Sequence, residues 1–127
     1  MIDWTKVISK AEQEKAAVAQ AREQIRYRRD QAISTGTIIN GMPIGTDDVT
    51  QGRIVGAVMS AMLDPAYSVT WKATDGTFVT LNAEQLIAVA QAIRAHVQAC
   101  FDREAQLLTA LVDGSVYDID EGWPLGS

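Results

Sequence analysis

The sequence predicts an α+β domain with the element order α-ββ-α-ββ-α, three helices alternating with two β-hairpins. Three observations predict it. Asn40-Gly41 and Asp75-Gly76 are dipeptides that accept the positive φ of a tight turn, and each lies between short β-prone runs. Apolar residues at helical spacing precede, separate and follow these hairpins. The outer helical stretches are also long. The first, about 29 residues, would measure ~43 Å and the third slightly more, whereas a compact domain of this size is only ~36 Å across. The sequence therefore implies an elongated molecule, or helices that extend into a partner.

The first helix is expected to start near Asp3 or Thr5 and run to Ser34, filled by strong helix formers such as Ala16-Ala17-Val18-Ala19. Trp4, Ala11, Val18, Ile25 and Ala32 recur every seventh residue, while the companion row Val7, Glu14, Ala21 and Arg28 is only half apolar. That is a narrow, Ala-rich seam, weaker than a zipper. Gly36 ends the helix, and Thr37–Ile44 forms the first hairpin. Asp48 with Gln51 resembles a capping box for the second helix, whose buried face is read as Ile54, Ala57, Val58, Ala61 and Met62. Leu63-Asp64-Pro65 stops it.

In the second hairpin Val69 and Trp71 share one face, with Phe78 as the expected cross-strand neighbour. Asn82 caps the third helix with Gln85 at the N3 position. Its wide apolar stripe makes it the main core helix, with Leu86, Ile93, Val97, Phe101 and Leu108 expected to pack on the second helix and both hairpins. Asp113-Gly114 ends it. The chain thus divides into an N-terminal helix (1–34) able to act as an oligomerisation or docking arm, an α+β core (35–114), and an acidic, aromatic tail (115–127).

The 127 residues suffice to bury on the order of two-thirds of the unfolded surface, without a disulfide or metal staple. Cys100 stands alone, and one Cys with one His does not make a tetrahedral zinc site. No apolar run approaches the ~20 residues of a membrane span, and the first residues do not resemble a signal peptide. Cytosolic synthesis is the expectation. The net charge of −5 is unevenly spread, because residues 1–33 hold seven basic and five acidic side chains and the remainder four and eleven. An acidic chain is a poor general binder of nucleic acid. The split implies attraction between the first helix and the body, within one molecule or between molecules.

Candidate chemistry is sparse. Asp118, Asp120 and Glu121 lack the ligand number and the turn glycine of a Ca²⁺ loop and read as a solvated tail. Asp47-Asp48 reads as helix capping. His96 and Cys100 share a helix at i, i+4, but Cys100 lies in the apolar row, so a core Cys beside a partly exposed His is expected. With no nucleophile–base pair and no ligand set, neither an enzyme nor a cofactor is expected. The residues that stand out are those suited to protein contacts. Trp4, Tyr117 and Trp123 lie near the chain ends, where a large aromatic either covers its own core or anchors a partner. Val18 and Ile25 lie in the seam, and Arg26 and Arg29 supply charge complementarity.

A further pattern runs from Arg26 to about Leu111. It comprises Arg28-Arg29, Gly36, Asn40-Gly41, Thr46-Asp47 with Thr50-Gln51, and Ile54-Val55-Gly56-Ala57. It continues through Val69-Thr70-Trp71-Lys72, Asp75-Gly76, Leu81-Asn82-Ala83-Glu84-Gln85, His96-Val97-Gln98 and Cys100-Phe101. This two-thirds of the chain resembles a domain of tailed-bacteriophage and prophage tail proteins, found in tail fibre and tail-fibre-assembly proteins. Family members often carry the domain behind a β-rich segment, where this sequence has the helix from Trp4. The resemblance implies a tail-associated structural or adaptor protein, in the virion or in the host cytoplasm during assembly. Its partners would be other tail, fibre or baseplate proteins or further copies of itself, with no nucleic acid and no membrane. The alternative is an assembly chaperone that binds an immature fibre and then leaves. The resemblance brings no catalytic residue with it.

Overall fold

The computed structural model describes residues 9–124, and the observed order is the expected one: α1 (Lys10–Thr35), β1 (Thr37–Ile39), β2 (Met42–Ile44), α2 (Asp48–Leu63), β3 (Ser68–Lys72), β4 (Phe78–Asn82) and α3 (Ala83–Asp113). The strands form two separate antiparallel two-stranded sheets, β1-β2 and β3-β4. A backbone hydrogen bond from Thr74 N–H to the Pro43 carbonyl (3.1 Å) ties one hairpin to the other.

Local chemistry sets each boundary. Ser9 caps α1, its hydroxyl accepting from the Glu12 N–H at 3.1 Å. Helix α1 thus begins at Lys10, and the start expected near Asp3 or Thr5 lies outside the described residues. Asn40 and Gly41 both take positive φ (49° and 80°), the geometry of a two-residue hairpin turn. At α2 the cap is Asp47, which accepts from the Thr50 N–H at 2.7 Å, and not Asp48, which becomes the first helical residue. Gln51 reaches the Thr46 carbonyl instead of closing a capping box. At α3 the expected box does form, with Asn82 and Gln85 exchanging bonds at 2.8 and 2.9 Å.

The second hairpin corrects one pairing. Trp71 stands opposite Val79 and Lys72 opposite Phe78, so Phe78 lies on the solvent face with the Lys72 ammonium 5.8 Å from its ring. Residues 73–77 make the connection, closed by Ala73 N–H to the Thr77 carbonyl. A turn one residue shorter would have brought Phe78 inward, because a one-residue shift exchanges the two faces of a strand.

α3 is the spine. Its 31 residues rise ~46 Å, roughly twice the ~24 Å of the 16-residue α2. One layer of neighbours does not cover such a stripe, and two clusters divide it. In the first, Leu86, Val89, Ile93 and Val97 pack with Ile54, Ala57 and Ala61 of α2, Met42 and Ile44 of β2, and Leu81 of β4. In the second, Cys100 and Leu107 pack with Ile25 and Ala32 of α1 and with Trp123. Leu108 therefore belongs to the α1 side and not to the hairpins, and Phe101 is 42% exposed beneath the Arg29 guanidinium.

α1 runs antiparallel to α3. Arg29 meets Phe101 and Glu104, while Ile33, one turn on, shares a crevice with Val97 and Phe101. In that register α3 ends opposite about Gln20, and the whole stretch Lys10–Gln20 is exposed. The other end of α1 is fixed where the chain turns into the hairpin. Gly36 adopts φ +80°, and a Cβ there would lie 2.5 Å from the Ile44 carbonyl oxygen. The Ile33 carbonyl accepts from Gly36 N–H and from the fully buried Thr46 hydroxyl.

Two predictions follow from this packing. Ile93→Ala in the first cluster and Ile25→Ala in the second are each expected to lose ~2–5 kcal/mol in urea denaturation; an unchanged midpoint for either would remove that residue from the core. The Asp47 carboxyl is held below the ordinary carboxylate range, chiefly by the Thr50 backbone N–H and also by the Thr50 side chain. Its capping contribution is therefore fully present above the unfolded value of ~4 and lost as pH falls through the lower native value. Asp47→Ala should cost about 1 kcal/mol at neutral pH. That difference should shrink in strong acid, and Asp47→Asn, which keeps an uncharged acceptor, should gain on the parent as the pH falls through the same range.

Candidate interaction surfaces

Helix α2 is apolar on more than one side, and α3 covers only one of them. Ile54, Ala57 and Ala61 are buried. Val55, Met59, Met62 and Leu63 are exposed, Met59 at 60%, Met62 at 73% and Leu63 at 86%. Met62 thus leaves the buried face that the spacing assigned to it. Beside it on α3, Ile87 is also exposed. Between the two helices lies an open groove of about 760 Å³. Ile54, Val55, Val58 and Met59 form one wall and Ile87, Ala90 and Ile93 the other, with Gln51, Gln91, Arg94 and Gln98 among the remaining lining residues. A groove walled by aliphatic and Met side chains between parallel ridges suits an amphipathic helix.

The sequence reading missed this groove because it looked for one buried stripe. The signal was there, in that Val55, Met59 and Leu63 fall outside the stripe that Ile54 begins. A helix apolar on several sides needs more than one neighbour.

The structure sorts the seven contact candidates into different groups. Val18 is exposed on the free part of α1. Arg26 is also exposed and pairs locally with Glu23 at 2.9 Å, a surface contact of small worth. Trp4 lies outside the described residues. Ile25 is fully buried, Trp123 is buried with its indole N–H donating to the Ile119 carbonyl at 2.7 Å, and Tyr117 packs half-buried against the same cluster. These three cover the chain's own core, because the tail folds back over α1 and α3.

Basic side chains hold that return alongside its apolar contacts. The Arg28 guanidinium lies 5.3 Å from the Trp123 ring centre and its Nε donates to Asp120 at 3.2 Å, while Arg103 Nε donates to the Glu121 carbonyl at 2.9 Å. The opposite charges of the first helix and the acidic remainder are thus matched inside one molecule at these points. Arg29 is likewise committed, with Nη1 bonded to both Glu104 carboxylate oxygens at 2.8 and 3.0 Å and Nη2 to Asp30 at 2.8 Å. Burial opposes the charge on Arg29, but the hydrogen bonds of Asp30 and Glu104 outweigh it and its pKa is raised.

His96 is buried, not partly exposed, and its Nε2 lies 3.9 Å from Cys100 Sγ. Burial pushes the Cys100 thiol up, against a smaller opposite effect of Arg28, so the sulfur stays protonated. Among the described residues no group of three or more His, Cys, Asp or Glu side chains is placed to hold a metal ion, and no helix is long and apolar enough to cross a membrane.

Residues 13–121 match the family model for a domain of unknown function, DUF4376. The chain belongs to this family. The match takes in most of α1, both hairpins, α2, α3 and the folded-back tail as far as Glu121, so the DUF4376 unit includes the first apolar cluster and all of the second but Trp123. No curated protein and no solved structure matches the chain significantly.

The Arg29–Glu104 pair is 17% and 15% exposed at its two side chains, so removing Glu104 leaves a mostly buried charge with only the exposed Asp30 as its partner. Glu104→Gln is expected to cost ~1.5–3 kcal/mol. Arg29→Leu combined with Glu104→Leu should recover most of that loss, because a matched apolar pair leaves no orphan charge. Chemical denaturation of Glu104→Gln and of the double Leu variant measures both, and equal losses in the two would contradict this account of the pair.

Proposed function

We propose that this DUF4376 protein is a structural or adaptor component of a bacteriophage tail, working through protein–protein contacts and not through catalysis. One observation carries the assembly part of the reading: the apolar face of α2, with Val55, Met59, Met62 and Leu63 in water beside an open groove. A chain with no partner gains nothing from that exposure, and Met-rich apolar patches are typical of contact surfaces. The free stretch Lys10–Gln20 adds a second unpartnered element, with Val18 on it. Support for the tail setting comes from the sequence resemblance carried by such elements as Thr46-Asp47, Thr50-Gln51 and Val69-Thr70-Trp71-Lys72.

The non-catalytic part is supported by the use already made of the reactive groups. Cys100 and His96 are buried together, Asp47 caps α2, and Glu104 neutralises Arg29. The test is affinity capture of the tagged protein from cells producing phage, with mass spectrometry of both the capture and purified virions. Tail, fibre or baseplate proteins should be recovered with the parent and reduced at least severalfold with Met59→Asp. Recovery during assembly together with absence from virions would assign the chaperone role instead. Capture of no tail protein by the parent would overturn the reading.

A further inference from the structure

Among the described residues two surfaces lack partners, and they lie far apart. The α2/α3 groove runs along α3 between Ile87 and Gln98. The free end of α1 lies beyond the other end of α3. Ile33 shares a crevice with Val97, which places it level with the near end of the groove. From Lys10 to Ile33 the helix rises ~36 Å, directed away from the groove. Residues 1–8 are tethered to Ser9, and fully extended they span at most ~28 Å. They do not reach the groove of their own molecule.

The sequence of this segment, Met1-Ile2-Asp3-Trp4-Thr5-Lys6-Val7-Ile8, suits the groove. Trp4, Val7 and Ile8 have the i, i+3, i+4 spacing by which a helical turn anchors in an apolar cleft. At that spacing Lys6 falls on the opposite side and Asp3 flanks the apolar residues. Arg94 is the one charged side chain among the described residues lining the groove, so Asp3 meets its complement there.

We propose that the α2/α3 groove is a self-assembly site that receives residues 1–8 of a second copy of this chain, with Trp4 as the anchor between Met59 and Ile87. The exposed stretch Lys10–Gln20 is then the rigid arm that carries the segment to its neighbour. This contact does not depend on the tail assignment, because it needs only copies of one chain. Failure of the capture experiment leaves it standing, and its own failure leaves the tail reading standing.

The test is the solution mass of the full chain by light scattering at increasing concentration, for the parent, Trp4→Asp, Met59→Asp and Val116→Asp. Val116 is fully exposed in the tail and does not line the groove, and serves as the control. The parent and Val116→Asp should reach at least twice the chain mass. Trp4→Asp and Met59→Asp should each stay at the chain mass while keeping the parent's melting temperature and circular dichroism. Mixing these two variants should restore association, since one supplies an intact groove and the other an intact segment. If Met59→Asp melts lower, Val55→Asp on the same wall is held to the same expectation. A parent that stays monomeric, loss of association with Met59→Asp but not with Trp4→Asp, or a mixture that does not recover, would each overturn the proposal.

Discussion

The structure depends on the apolar stripe of α3. Helix 83–113 is apolar along nearly all of its ~46 Å, and no single neighbour matches that length. The chain answers with two short cores in series. α2 and the hairpins cover the first half of the spine, and α1 with the returning tail covers the second. Every other feature follows from where one cover stops and the next begins. Ile33 packs against both clusters and marks the junction.

That junction is fixed by closely fitted residues. Gly36 lets the α1 backbone turn into β1 while lying against the Ile44 carbonyl, where no side chain fits. Thr46, fully buried, joins the end of α1 to the start of α2 through the Ile33 carbonyl, and Gln51 secures the Thr46 carbonyl in turn. Asp47, next in sequence, caps α2. Three consecutive functions therefore fall on Thr46, Asp47 and Gln51, a stretch that from sequence reads only as a loop with capping residues. The second half of α3 is closed by an apolar cluster with basic side chains at its edge. Arg28, Arg29 and Arg103 draw in Asp120, Glu104 and the Glu121 carbonyl, and bring Trp123 over Ile25 and Leu107.

Features with a local cause were legible in the sequence. Asn40-Gly41 demanded its turn, Asn82 and Gln85 their capping box, and Gly114 the left-handed end of α3. The element order followed from these. Features with a tertiary cause were not. Phe78 went to the solvent face because a five-residue connection sets the register, and spacing alone does not count turn residues. Ile25, Arg29 and Trp123 looked like contact residues because nothing in the sequence revealed that the tail folds back. Aromatics near a chain end give the same signal whether they cover a core or anchor a partner. The true apolar surface on α2 was overlooked for a related reason. Its exposed residues differ from its buried ones only in what lies opposite, and that is decided by α3.

The same division explains why the surfaces left over lie where they do. A spine covered from both ends by elements of limited length leaves an overhang on each cover. α1 is longer than the half of α3 it pairs with, and its first turns extend past Asp113 into solvent. α2 is apolar over a wider arc than one helix can bury, and its outer flank opens as the groove. Neither overhang contributes to the stability of the isolated chain, since exposed apolar groups gain nothing until water is removed from them. The groove lies between two helices of the packed core, so a partner would bind it without reordering that backbone, which lowers the entropic cost of association. An arm at one end and a groove at the other are the two halves of a contact that a single copy is too long to close on itself.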